Sequence, residues 1–419
     1  MYQKTVLPNG IRIITEYIPY VHSVSLGVWF EVGSRDEEPT ELGLSHFIEH
    51  MMFKGTERFS AREIAEIMDR CGGHLNAFTS KEHTCYYFRV LDEHFSTAAE
   101  VLQQMLLHSR FEPSEIDKER NVVLEELNMY EDTPDELVHD LLCEALWPNH
   151  PLGRNVLGTQ ETISSFSQNM ILSFLERNYT TERIVIASAG SIPHERIVEE
   201  FASSLSALPS GALPTANYSR DLGGQDLFRA KDTEQIHLCI GGPALSRDDE
   251  RKYILYLLDT IIGGGVSSFL FQELREERAL VYNTYSYNSF FRDSGCFGIY
   301  SGFSPKHWDE VFSVIRTQLG SIDRLITDDV VQRAKGQLKG SVLLSLESTN
   351  NRMIRLARGE MDFGHIVTPE EFIWEIEQVS KEDVIELGLE VYDPAKWTIA
   401  AIGPIDSNIW RDIQCQKIC

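Results

Sequence analysis

The sequence predicts an α+β protein of two similar halves, each an antiparallel sheet backed by helices. Three observations carry that reading. Val24, Leu26, Val28, Phe30 and Val32 alternate with Ser23, Ser25, Gly27, Trp29 and Glu31, the period-two pattern of a half-buried strand, and a helical pattern follows. Ile236, Leu238 and Ile240 alternate in the same manner ahead of a second helical stretch, Asp248 to Ile262. Finally, the run from Tyr179 to Gly190, with Arg183-Ile184-Val185-Ile186-Ala187, recurs from Tyr392 to Gly403, with Lys396-Trp397-Thr398-Ile399-Ala400; the Tyr-to-Gly interval is 11 in both, and the offset of 213 is close to half of the 419 residues.

Taken in order, Met1 to Gly10 lead into a strand rather than into the apolar core of a signal peptide. After the strand at Val24 to Val32, the residues Leu44, Phe47, Ile48, Met51 and Met52 recur at three- and four-residue spacing. They predict a helix with one buried face and Ser45 near its start as a capping residue. Gly72-Gly73 turns the chain into a strand through Asn76, Ala77, Phe78 and Thr79, paired with Thr84 to Val90. The stretch from Glu115 to Tyr130 has neither Gly nor Pro, and Ser114 with Asp117 resembles a capping box, so a long helix is expected.

A chain of 419 residues exceeds what one core organises, so a division is expected. The run Leu208-Pro209-Ser210-Gly211-Ala212-Leu213-Pro214 and the pair Gly223-Gly224 have a linker's composition, which sets the halves at 1–208 and 225–419 with a linker at 209–224. In the second half, Gly263-Gly264-Gly265 lacks the Lys-Ser/Thr of a phosphate loop and reads as a turn or a point of close packing.

The chemistry concentrates in His46-Phe47-Ile48-Glu49-His50, which reads H-x-x-E-H. On a helix, positions i, i+3 and i+4 share a side, so two imidazoles and a carboxylate face one point. A lone histidine on an apolar face is ordinarily a satisfied core residue; this triple spacing is the pattern that binds a metal and activates water. A zinc site with two His ligands needs a third protein ligand and leaves a fourth position for water. On the long helix, Ile116, Glu119, Val123, Glu126 and Tyr130 fall on one stripe, so Glu119 and Glu126 point inward while Glu125 faces solvent.

These residues give the chain a resemblance to the pitrilysin/insulinase superfamily of zinc peptidases, nearest to its bacterial branch related to the mitochondrial processing peptidase. In that family the third ligand is a Glu 76 positions after the second His, which selects Glu126, and a further Glu seven residues upstream assists, which is Glu119. The resemblance implies one zinc ion per chain held by His46, His50 and Glu126, with Glu49 as general base and Glu119 behind the ligands. Water activated at the metal would then hydrolyse peptides or unfolded segments in an enclosed cavity between the halves. It also implies a substrate strand at Asn76, Ala77, Phe78 and Thr79, and a contribution of Arg275 and Tyr282 from the second half. Arg suits peptide carbonyls, and a phenol can donate to a developing oxyanion. Family members of this length imply a homodimer, each site completed by the partner's second half. The competing function is a non-catalytic or partner-dependent peptide-binding subunit; relatives of that kind lose metal ligands, and this chain keeps them all.

Composition bounds the partners. A formal charge of −26 argues against nucleic acid and anionic membranes, and suggests an acidic chamber suited to basic peptides. No apolar run approaches the length of a membrane span. Seven cysteines without a C-x-x-C pair read as reduced residues of a cytoplasmic protein.

Overall fold

The computed structural model describes residues 2–211 and 224–405. Most of the expected linker, 212–223, lies outside the described residues. The chain forms two compact units, and neither is continuous in sequence. Among the described residues the first comprises 2–129, 154–211 and 345–366, and the second 130–153, 224–344 and 367–405. The expected boundary, 1–208 against 225–419, runs along the chain; the units instead trade a segment from each half.

In the first unit six strands, β1 (Tyr2–Val6), β2 (Arg12–Tyr17), β3 (Ser23–Phe30), β4 (His74–Thr79), β5 (Thr84–Leu91) and β6 (Ile184–Gly190), lie in the order β1-β2-β6-β3-β5-β4. The second unit orders β7 (Leu227–Ala230), β8 (Ile236–Pro243), β9 (Val281–Phe290), β10 (Gly295–Phe303) and β11 (Thr398–Gly403) as β7-β11-β8-β10-β9. The duplication read from sequence thus holds for five strands of each sheet, and β1 has no counterpart in the second. β6 and β11, the recurring Tyr-to-Gly stretches, each pair antiparallel with the alternating strand, β3 or β8, and parallel with β2 or β7. All other strand pairs are antiparallel.

β3 departs from the half-buried expectation, for it is buried along both faces. Val24, Leu26, Val28 and Phe30 enter the larger core of the unit. The opposite face is covered by the helix Thr349–Phe363, whose Met353, Leu356 and Ala357 pack with Trp29 and Cys85. Small residues let that helix come close: Thr349 Oγ1 lies 2.9 Å from Ser25 Oγ, and a Cβ on Gly27 would stand 2.9 Å from Met353 Sδ. Ion pairs between Lys4 and Glu360 and between Arg352 and Glu16 fasten both ends of the helix. In the second unit the helix Pro134–Leu146 covers the sheet in the same way, and a Cβ on Gly241 of β8 would stand 2.7 Å from Leu142 Cδ2. Among the described residues no helix is long and apolar enough to cross a membrane.

Closely packed interiors resist added volume. Gly27→Val and Gly241→Val are each expected to destabilise the protein by about 1–3 kcal/mol, read as a lower denaturant midpoint; an unchanged midpoint would show that these covering helices are not held in close contact.

Candidate metal centre

The H-x-x-E-H segment forms the nine-residue helix Leu44–Met52. Its Leu44, Phe47, Ile48, Met51 and Met52 all enter the first unit's core, as their spacing predicts, and this burial fixes the rotation of the helix. The cap expected from Ser45 comes instead from Glu37, whose carboxylate accepts the Gly43 and Ser45 N–H groups. The second contributor is the helix Pro113–Glu131. It starts before Ser114, which therefore sits inside the first turn rather than at a cap. Ile116, Glu119 and Val123 are buried on its inner stripe, Glu126 is half-exposed, and Glu125 is exposed.

The two helices bring the side chains together. One ligating atom from each of His46, His50 and Glu126 lies within 4.8 Å of the others. His46 Nε2 is 3.8 Å from Glu126 Oε1, and His50 Nε2 is 3.4 Å from Glu126 Oε2. The other nitrogen of His50, Nδ1, hydrogen-bonds Glu119 Oε1 at 2.8 Å, and Lys54 Nζ stands 2.5 Å from Glu119 Oε2. Glu119, 3% exposed, therefore joins His50 to a lysine. Thr79 Oγ1 donates to Glu49 Oε2 at 2.5 Å, and Glu49 lines a cleft of about 250 Å³ with His50, Lys54 and Asn76.

The electrostatics suit a cation. Burial, helped by the neighbouring His50, lowers the His46 pKa to about 4, so this imidazole is neutral and offers a lone pair at neutral pH. At His50 burial acts downward, but the Glu119 hydrogen bond and the charges of Glu126, Glu119 and Glu49 outweigh it and raise the pKa. Burial raises Glu49, opposed by the Thr79 hydrogen bond. His46 Nδ1 is buried without a hydrogen-bond partner among the described residues. Neutral imidazole, a second imidazole oriented by a carboxylate, and a converging Glu form the His₂Glu donor set of an open zinc site. The residues fit the ion.

Asn76, Ala77, Phe78 and Thr79 lie on β4, the outermost strand, whose only strand partner among the described residues is β5. Asn76 lines the cleft; Phe78 packs edge-on against Trp29 instead. Arg275 and Tyr282 belong to the second unit, where the guanidinium lies 4.9 Å from the centre of the Phe271 ring and 5.5 Å from that of Tyr282, itself 76% exposed. The glycine run there does serve close packing: a Cβ on Gly263 would meet Ser286 N at 2.2 Å. Three residues escaped the sequence reading as contributors to the metal centre. Lys54 was findable, one helical turn beyond His50; the Thr79 bond to Glu49 and the Glu37 cap carried no local signal.

The His46 shift has a pH consequence. Between about pH 6.5 and 4 the unfolded chain binds a proton that folded His46 refuses, so stability supplied by this group is present above the upper value and is lost as pH falls. The metal-free protein is expected to lose stability across that window, and His46→Gln to flatten the loss; equal pH slopes in denaturant titrations of both would refute this.

A family model described as insulinase, peptidase family M16, matches residues 12–160, and one described as the peptidase M16 inactive domain matches 165–338. A Bacillus subtilis protein named as an uncharacterized zinc protease is 44% identical over 407 residues, covering 96% of this chain and 98% of that protein. A Streptomyces coelicolor protein of the same description is 39% identical, covering 96% of this chain and 90% of its own. Among solved structures, a protease from Helicobacter pylori superposes with a TM-score of 0.89 at 20% identity, covering 96% of this chain and 99% of that one. An M16 inactive-domain peptidase structure from Pseudomonas fluorescens gives 0.90 at 19%, covering 97% and 98%. The two-sheet fold, the sequence matches across both halves and the intact H-x-x-E-H helix agree: the chain belongs to the insulinase family of peptidases, M16, within the pitrilysin superfamily.

Proposed function

We propose that the protein is a zinc-dependent endopeptidase acting on peptides and unfolded segments. The observation that carries this reading is the convergence of His46, His50 and Glu126 beside Glu49. These three side chains would hold the ion, and bound zinc supplies Lewis acidity, lowering the pKa of water towards about 7 and polarising a peptide carbonyl. Glu49 takes the proton from the attacking water and returns it to the leaving amine, a role helped by a carboxyl whose pKa burial has raised. Thr79 holds one Glu49 oxygen, which orients the carboxylate at the wall of the cleft. Glu119 holds the His50 ring with Nε2 turned to Glu126.

An extended peptide would add to the outer edge of β4 along Asn76, Ala77, Phe78 and Thr79, gaining backbone hydrogen bonds without a demand for sequence. Phe53 borders both the metal cleft and a neighbouring pocket of about 340 Å³ lined by Ile64, Met68 and Leu75, which suits an apolar substrate side chain beside the cleaved bond. Arg275 and Tyr282 would reach peptide carbonyls and the developing oxyanion in a homodimer, each site completed by the partner's second half. The exposure of Tyr282 supports its availability for that purpose. The charge of −26 favours basic peptides, and cysteines without paired spacing favour a cytoplasmic location.

Glu49→Gln is expected to keep zinc while losing peptide cleavage by at least about 10²-fold, and chelation followed by zinc return to abolish and restore the wild-type rate. A Glu49→Gln variant cleaving at the wild-type rate would remove the base from the mechanism, and a chelator-insensitive rate would remove the metal. Met68→Trp should fill the apolar pocket and depress cleavage beside bulky apolar residues in a mixed peptide library, leaving small residues less affected; a uniform cleavage profile would argue against that subsite.

A further inference from the structure

The motif helix begins without a capping side chain of its own. Its N-cap is Gly43, at φ 87°, and a Cβ there would stand 2.4 Å from the Leu157 carbonyl oxygen. Ser, Thr, Asp or Asn, which ordinarily satisfy first-turn N–H groups, are therefore excluded at this position. Glu37 takes over from six residues upstream. Its Oε2 accepts the Gly43 N–H at 2.8 Å and its Oε1 the Ser45 N–H at 2.8 Å. The side chain is 4% exposed and has no part in the chemistry proposed above. Burial raises its pKa, and the Ser45 and Gly43 N–H bonds oppose that rise by favouring the ionised form.

The loop carrying Glu37 is itself anchored. Arg154 Nη1 donates to the Glu37 carbonyl at 2.8 Å, and the Arg35 N–H donates to the Lys81 carbonyl at 2.8 Å. Arg35 forms a buried ion pair with Glu82. Lys81 and Glu82 lie in the turn between β4 and β5, two and three residues after Thr79, which holds Glu49.

We propose that Glu37 is a positioning residue for the metal centre, closing the first turn of the motif helix so that His46 and His50 stay aimed at Glu126. His46 is the third residue of a nine-residue helix, so fraying of that turn displaces a ligand directly. Metal coordination tolerates only about 0.2 Å of error. When ionised, the carboxylate also places negative charge at the positive end of the helix dipole. This inference rests on the metal reading above.

Glu37→Gln keeps the size of the side chain but turns amide hydrogens towards one of two backbone donors. Measured by competition with a chromophoric chelator at about pH 9, above the value of about 8 to which burial raises the wild-type carboxyl, zinc affinity is expected to fall about tenfold or more. Ser60→Ala serves as control: Ser60 caps the helix Ala61–Arg70, and its loss should lower the melting temperature of the metal-free protein without changing zinc affinity. Unchanged affinity in Glu37→Gln, or an equal loss in Ser60→Ala, overturns the proposal. Should Glu37→Gln fail to fold, amide hydrogen exchange in the wild-type metal-free protein decides. Gly43 and Ser45 amides protected well beyond exposed loop amides support it, and exchange as fast as those amides overturns it. Wild-type protein that takes up no zinc sinks the metal reading and this one together, whereas wild-type uptake with an unaffected variant sinks only the role of Glu37.

Discussion

Burial of one stripe of a nine-residue helix decides where its other stripe points, and the rest of the site depends on that. Leu44, Phe47, Ile48, Met51 and Met52 sit in the first unit's core, each contributing about 1.5–3 kcal/mol when fully buried. Their anchoring sets the side of the helix from which His46, Glu49 and His50 project. Glu126 arrives from the longer helix on which Ile116 and Val123 are likewise buried. Apolar packing thus holds polar groups where, without a cation, two imidazoles and several carboxylates share a small and partly desolvated volume. Glu119, tied to His50 on one side and Lys54 on the other, relieves part of that cost.

The sheets impose a second constraint. β3 and β8 are interior strands, each needing cover on both faces, and in each unit one face is covered by a helix drawn from the other half of the sequence. Ser25 and Gly27, and Gly241 on β8, are small because a helix lies against them. The face that reads as polar-out is, in the folded protein, packed under a helix, closely at Ser25 and Gly27 and through the large ring of Trp29. β6, like β3, is buried on both faces. At the far edge of the same sheet, β4 keeps one side of its backbone unpaired by any strand among the described residues.

Much of this was legible in particular residues. The spacing of His46, Glu49 and His50, the inward stripe of Glu119 and Glu126, and the solvated Glu125 are consequences of helical periodicity, and the structure places each as periodicity demands. The recurring Tyr-to-Gly strands announced the duplication that the sheet orders reproduce. The failures were of another kind. Ser45 stood where a cap belongs, but Leu157 crowds Gly43 and the cap comes from Glu37. The long helix began earlier than Ser114, and β3 was assigned a wet face because nothing near it in sequence reveals the helix Thr349–Phe363.

By itself, then, the amino-acid order determined much of what depends on neighbours within a few positions: that the motif segment and the Glu119 segment coil, which face of each is apolar, and which acids and imidazoles share a side. Only the tertiary structure decided which helix covers which sheet, that Thr79 meets Glu49, that Lys54 and His50 share Glu119, and that a buried carboxylate starts the motif helix. The division has a physical origin. Periodicity is set by covalent geometry and is written locally, whereas contacts between distant segments depend on loop closure and on competition for buried space, which no single stretch of sequence records.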